Sequence, residues 1–96
     1  MKYGLTENTY KKIKEIINKY PEYKFKVFGS RARGDFKTNS DIDIAVEGNI
    51  SKQKQIEIMN EFDMIDIPYM TDIVFMCELK KDEFIQSIKK DGVLYE

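Results

Sequence analysis

The sequence predicts an α+β fold, a small mixed β-sheet with helices packed on it. Two segments alternate apolar and polar residues with period two, a third is a short apolar run, and three others repeat apolar residues at helical spacing. The two kinds interleave as helix, strand, strand, helix, strand, helix. The chain has 96 residues, 42% of them hydrophobic and 34% charged, so it reads as one domain over 1–96 with a single core.

The first helix starts at Thr6, a residue that can cap it, and repeats Tyr10, Ile13, Ile17 and Tyr20 until Pro21 ends it. Leu5 is placed to staple onto Tyr10. Tyr23 to Phe28 sets Tyr23, Phe25 and Val27 against Lys24 and Lys26, a strand running into Gly29. Asp41 to Val46 puts carboxylates on one face and Ile42, Ile44 and Val46 on the other, a second strand with a buried apolar face. Asn49 and Ser51 open the next helix, with Ile56, Met59 and Phe62 expected inward, and Ile67-Pro68 closes it. Met70 to Cys77 reads as the third strand. The last helix runs from Asp82 to Asp91, with Phe84, Ile85 and Ile88 inward, Lys89 and Lys90 in its final turn and Gly92 as its stop. The buried positions of these elements account for Tyr20, Tyr23, Phe25, Phe28, Phe62 and Phe75 as core residues, with no aromatic assigned to stack a base.

Composition removes several classes of function. The longest apolar run is the five residues Ile73 to Cys77, against the roughly 18 that a membrane helix needs. The N-terminus has no apolar signal core. The expectation is a cytoplasmic protein without a membrane partner. The single cysteine, Cys77, cannot form an internal disulfide and reads as a small buried hydrophobe. Without histidine, Cys/His zinc sites and Ser-His-Asp triads are impossible, so any metal is held by oxygen, which favours Mg²⁺, Ca²⁺ or Mn²⁺. Net charge is −1, yet residues 1–40 carry ten Lys or Arg against four acids, and residues 41–96 six Lys against thirteen acids. Both arginines, Arg31 and Arg33, lie within Gly29 to Gly34, and the planar guanidinium suits phosphate better than lysine does. The lysines read as solvated helix faces, with no direct nucleic-acid binding expected.

Phe28 to Val46 carries the chemistry. Its glycines have P-loop spacing, but Asp35-Phe36 follows Gly34 where Lys-Ser/Thr is required. An EF-hand from Asp41 fails at Ala45 and Val46. There remains a glycine-serine turn after one strand and an Asp-x-Asp pair on the next. Period two puts Asp41 and Asp43 on one face, their Cβ atoms about 7 Å apart, within reach of one divalent ion. Asp72, flanked by Ile73, Val74 and Phe75, is a charge in an apolar strand that needs a partner. It joins the pair if its strand lies alongside. Three carboxylates can hold two Mg²⁺ ions, the arrangement that stabilises the attacking and leaving oxygens of a phosphoryl displacement. Gly29 allows close backbone approach, Ser30 offers its hydroxyl and N–H, and Arg31 and Arg33 add charge for a triphosphate.

Gly29-Ser30-Arg31-Ala32-Arg33-Gly34, Ser40-Asp41-Ile42-Asp43-Ile44 and Thr71-Asp72-Ile73-Val74 together resemble the signature of the DNA polymerase β-like nucleotidyltransferases. More narrowly, they resemble the minimal nucleotidyltransferases encoded beside HEPN partners, over nearly the whole chain. The resemblance implies a nucleotidyltransferase fold and transfer of AMP from ATP with Mg²⁺, releasing pyrophosphate. Asp41 and Asp43 would bind metal, and Asp72 would share one ion and orient or deprotonate the acceptor hydroxyl. Gly29 and Ser30 would hold the β- and γ-phosphates, assisted by Arg33 or Arg31. It further implies a type VII-like antitoxin that adds AMP to a tyrosine of a HEPN toxin and forms a hetero-oligomer with it. A chain this short leaves little from which to build an acceptor pocket, which favours a protein acceptor. The alternatives are an antitoxin that acts by binding alone and a nucleotidyltransferase with a small-molecule acceptor.

Overall fold

The computed structural model describes residues 2–37 and 39–95. Helix α1 is Glu7–Asn18, strand β1 Lys24–Phe28, the single-turn helix α2 Ser30–Arg33, β2 Ile42–Glu47, α3 Lys52–Met64, β3 Thr71–Phe75, α4 Asp82–Asp91 and β4 Val93–Leu94. A 3₁₀ turn, Met76–Glu78, follows β3. The strands form one mixed sheet in the order β3-β2-β1-β4. β1 pairs antiparallel with β2 and with β4, while β2 pairs parallel with β3, a connection that needs a crossover helix, here α3. No helix among the described residues is long and apolar enough to cross a membrane.

Both predicted caps form. The Thr6 hydroxyl accepts from the Thr9 amide at 3.3 Å, and the Ser51 hydroxyl from the Lys54 amide at 3.3 Å, each satisfying a helix-start N–H that has no partner inside its helix. α4 begins and ends where its apolar spacing and Gly92 place it.

The sheet separates two apolar clusters. On one face Phe25, Val27, Ile42, Ile44 and Val46 pack under Ile13 and Ile16 of α1 and Ile58 and Phe62 of α3. On the other, Phe28 and Ala45 pack against Ile88 of α4, with Val74, Met76 and Leu79 alongside. Period two therefore assigns Asp43 to the second face, the one covered by a single ten-residue helix.

The structure departs from the expected inward residues at several places. In α3 the buried stripe is Gln55, Ile58 and Phe62, whereas Ile56 is 61% exposed and Met59 is also exposed. Successive three-residue steps drift about 60° around a helix, so Ile56, Met59 and Phe62 cannot share a narrow face. Gln55 is accommodated because its amide donates to the Ile50 carbonyl and the Glu78 carboxylate, both at 3.0 Å. β3 stops at Phe75, the last residue it pairs with β2, opposite Val46, and the chain then enters the 3₁₀ turn. Cys77 consequently sits in the 3₁₀ turn and is exposed, not buried. Phe84 of α4 is exposed as well, its ring edge-on to Phe28 at 6.0 Å.

An unexpected element is β4, which joins the sheet edge and brings Tyr95 back onto α1. The Tyr95 amide donates to the Phe25 carbonyl at 2.9 Å and its hydroxyl to the Tyr10 carbonyl at 2.9 Å. Its ring lies 5.0 Å from Tyr10 and 5.4 Å from Tyr3. Burial, with Tyr10 and Tyr3 beside it, pushes the Tyr95 phenol well above its usual range. Denaturant unfolding should show Tyr95→Phe weaker by about 1 kcal/mol, the worth of one hydrogen bond. Tyr95→Ala should be weaker by about 3 kcal/mol or more, as for a buried aromatic ring. Equal stability of Tyr95→Ala and the parent would show that this closure carries no weight.

Candidate active site

β1 delivers Phe28 to Gly29, which takes φ 72° and ψ −153°, a conformation that residues with a Cβ rarely adopt. The space requires glycine too. A Cβ at Gly29 would strike the Asp43 carboxylate oxygen, so the turn and that carboxylate are in direct contact. Past Gly29 the chain makes the single helical turn α2 instead of a loop. It ends at Gly34, also left-handed at φ 91°, whose amide donates to the Ser30 carbonyl at 2.8 Å.

The carboxylates come from two strands. Phe28 pairs with Asp43 across β1-β2, and Asp43 pairs with Asp72 across the parallel β2-β3 ladder. Asp43 and Asp72 thus stand on the same face of adjacent strands about 4.8 Å apart, and Asp41 lies two residues upstream on that face. Asp43 is half-buried, while Asp41 and Asp72 are exposed. Burial first, then Asp72, then Asp41 push the Asp43 carboxyl above the ordinary carboxylate range, and Arg31 and Arg33 pull it down.

Three carboxylates are hard oxygen donors of the kind that holds Mg²⁺, and the raised Asp43 marks negative charge that a cation would relieve. The donor chemistry therefore fits a divalent ion. As they stand, no three His, Cys, Asp or Glu among the described residues are drawn together closely enough to hold one.

The two arginines diverge. Arg33 is half-exposed and contacts Asp35 at 3.3 Å and Asp91, at the end of α4, at 3.6 Å. Arg31 is 2% exposed and donates to the carbonyls of Ser40 and Tyr3, company different from a phosphate. Gly29, with Ser30 next to it, touches Asp43, Asp72 stands opposite Asp43, and Asp41, Arg31 and Arg33 lie near enough for their charge to shift the Asp43 carboxyl. Sequence reasoning missed that inward course, and also Phe36 and Tyr69, whose rings flank Arg31. The pairing of a lone arginine with aromatic residues at separations of five and thirty-eight residues leaves no local signal.

A family model described as polymerase beta, nucleotidyltransferase, matches residues 11–96. No curated protein matches the sequence. Among solved structures, a toxin-antitoxin crystallised with AMP-PNP is similar at a TM-score of 0.65 and 23% identity, covering 91% of this chain and 72% of that one. A candidate nucleotidyltransferase from Sulfolobus solfataricus is similar at a TM-score of 0.51 and 24% identity, covering 88% and 77%. At these identities the two structures establish a shared fold.

A raised carboxyl holds its proton more tightly in the folded state than in the unfolded chain. Asp43 therefore supports folding at pH below the ordinary carboxylate range and opposes it once pH passes the folded value. In metal-free buffer at pH 7, Asp43→Asn should melt above the parent by roughly 2 to 5 °C, a shift that a fraction of a kcal/mol gives in so small a domain. The gain should shrink as pH falls towards the ordinary carboxylate range. A lower melting point than the parent throughout would contradict the charge crowding. Gly29→Ala should lose more than about 1 kcal/mol on unfolding by denaturant, from positive φ plus the collision with Asp43. Parental stability in that variant would refute the contact.

Proposed function

Because the chain belongs to the polymerase beta nucleotidyltransferase family, matched from residue 11 to residue 96, we propose that it is an antitoxin that transfers AMP from ATP to a hydroxyl of a partner toxin. The observation that carries this reading is the contact between Gly29 and the Asp43 carboxylate, with Asp72 opposite Asp43 in register. A turn able to receive phosphate oxygens and the carboxylates able to hold their counter-cation occupy one corner of the sheet.

Asp41, Asp43 and Asp72 would hold Mg²⁺, which when bound neutralises phosphate charge and polarises the phosphoryl group. Gly29 lets the backbone come close to the triphosphate, where the Ser30 hydroxyl and amide donate to its oxygens, and the half-exposed Arg33 adds positive charge. Asp72, exposed on the outer strand, is the carboxylate best placed to accept the proton of an incoming hydroxyl. The oxygen of that hydroxyl forms a bond to the α-phosphorus, the bond to the pyrophosphate oxygen breaks, and pyrophosphate leaves.

The acceptor is a protein on this reading, because α4 is the one long helix among the described residues on the carboxylate face and two of its three carboxylates are exposed. A second chain can reach them without an enclosed pocket. The similar toxin-antitoxin was crystallised with an ATP analogue, which supports both a nucleotide and a toxin as ligands. The finer assignment is a tyrosine of a HEPN toxin, and it rests on the motif resemblance.

Incubation of a HEPN partner with this protein, ATP and Mg²⁺ should add an AMP-sized mass to one partner tyrosine, and Asp43→Asn should reduce the rate by about 10²-fold or more, as for loss of a group that stabilises transition-state charge. An unchanged partner mass, with neutralisation surviving alanine at Asp41, Asp43 and Asp72 together, would instead establish inhibition by binding alone.

A further inference from the structure

We propose that Arg31 is a positioning residue which, through the backbone, sets the two carboxylate-bearing strands against the glycine turn. The inference deepens the function proposed above, though its structural part stands independently of any nucleotide.

The guanidinium makes three hydrogen bonds to carbonyls and meets two aromatic rings. Its Nε and one terminal nitrogen donate to the Ser40 carbonyl at 3.2 and 2.8 Å, and the other terminal nitrogen donates to the Tyr3 carbonyl at 2.8 Å. The Phe36 ring lies 5.0 Å from its central carbon and the Tyr69 ring 4.8 Å, within the range of cation–π attraction. A buried cation is costly unless its donors are satisfied, and here carbonyls and rings satisfy it.

Two of these contacts, Ser40 and Tyr69, lie just upstream of a carboxylate-bearing strand. Arg31 itself follows Gly29-Ser30. Ser40 precedes Asp41 and therefore the start of β2. Tyr69 precedes Met70, whose carbonyl accepts from the Ile42 amide at 2.9 Å, and β3 with Asp72 follows. One guanidinium thus ties the turn to the entries of both strands, and a planar fork making three hydrogen bonds does this where a lysine ammonium could not.

The N-terminal segment is shaped to complete the cage. Tyr3 adopts φ 57°, unique among described non-glycine residues in being left-handed, a conformation that persists where its surroundings over-determine it. Gly4 follows at φ 71°, and a Cβ there would strike the Phe36 ring. Second-layer contacts of this kind hold ligand groups in register, and their loss is felt at the ligand more than in global stability.

Amide hydrogen exchange, thermal melting and ATP affinity, measured with Mg²⁺ and with EDTA, test this on the full chain. In Arg31→Gln the Ile42 amide should exchange about tenfold faster, as for loss of roughly one hydrogen bond's worth of local stability. Val27, deep in the sheet, should keep its protection. The Mg²⁺-dependent increment of ATP affinity should fall by about tenfold, the lower end for loss of a second-layer partner, while affinity in EDTA stays within twofold. Arg31→Lys should behave like the glutamine variant. If Arg31→Gln does not fold, Tyr69→Leu, which removes one ring face and leaves the guanidinium, must speed exchange at the same amide. Unchanged Ile42 exchange with ATP affinity lost in EDTA would mean that Arg31 contacts phosphate, and would overturn the proposal. A uniform rise in exchange at Ile42 and Val27 would mean only a packing role, and would overturn it equally. Failure of the parent to bind ATP would refute the nucleotide reading, and the exchange data would still decide for or against Arg31.

Discussion

The parallel pairing of β2 with β3 is the constraint on which the site depends. It sets Asp43 beside Asp72 in register, on strands whose spacing of about 4.8 Å leaves two carboxylates little room to avoid one another. The repulsion shows in Asp43, whose carboxyl lies above its usual range through burial, Asp72 and Asp41 in that order. A fold selected for stability alone would separate these groups. Their retention side by side, against a glycine that lets backbone touch one of them, is the arrangement expected where charge is gathered for a ligand.

That pairing also explains the unequal cover of the sheet. A parallel connection needs a crossover, and α3 supplies it on the face that α1 shares. Among the described residues the opposite face receives one helix, α4, seated on Phe28 and Ala45, with Met76 and Leu79 beside it. Further along, Lys26 and Glu47 close part of it with an ion pair at 3.0 Å. The carboxylate end stays open. Beneath it the buried Arg31 supplies a positive charge that lowers the Asp43 carboxyl while its hydrogen bonds fix the strand entries.

Local rules made much of this legible. The hydroxyls of Thr6 and Ser51 cap where their positions before apolar repeats predict, and α4 keeps its expected bounds, because capping and periodicity act within one turn of helix. The face shared by Asp41 and Asp43 follows from strand geometry alone. Ile56 and Met59 lie outward because a three-residue repeat leaves the buried face ambiguous, and Gln55 is buried because the Ile50 carbonyl and Glu78, 23 residues away, accept from its amide. Cys77 is exposed because β3 ends at Phe75 and the chain turns there into a 3₁₀ helix. β4 is two residues long, too short for any period to register.

The sequence by itself determined the type and order of the three longer helices and of β1, β2 and β3, the glycine turn and the identity of the acidic residues, since each is encoded in spacing over a few positions. Only the tertiary structure decided that Asp72 stands beside Asp43, that Arg31 turns inward while Arg33 stays outside, and that Tyr95 returns to α1. These outcomes depend on which distant segments meet, and strand pairing and burial set that through the free energy of the whole core, which no local window contains.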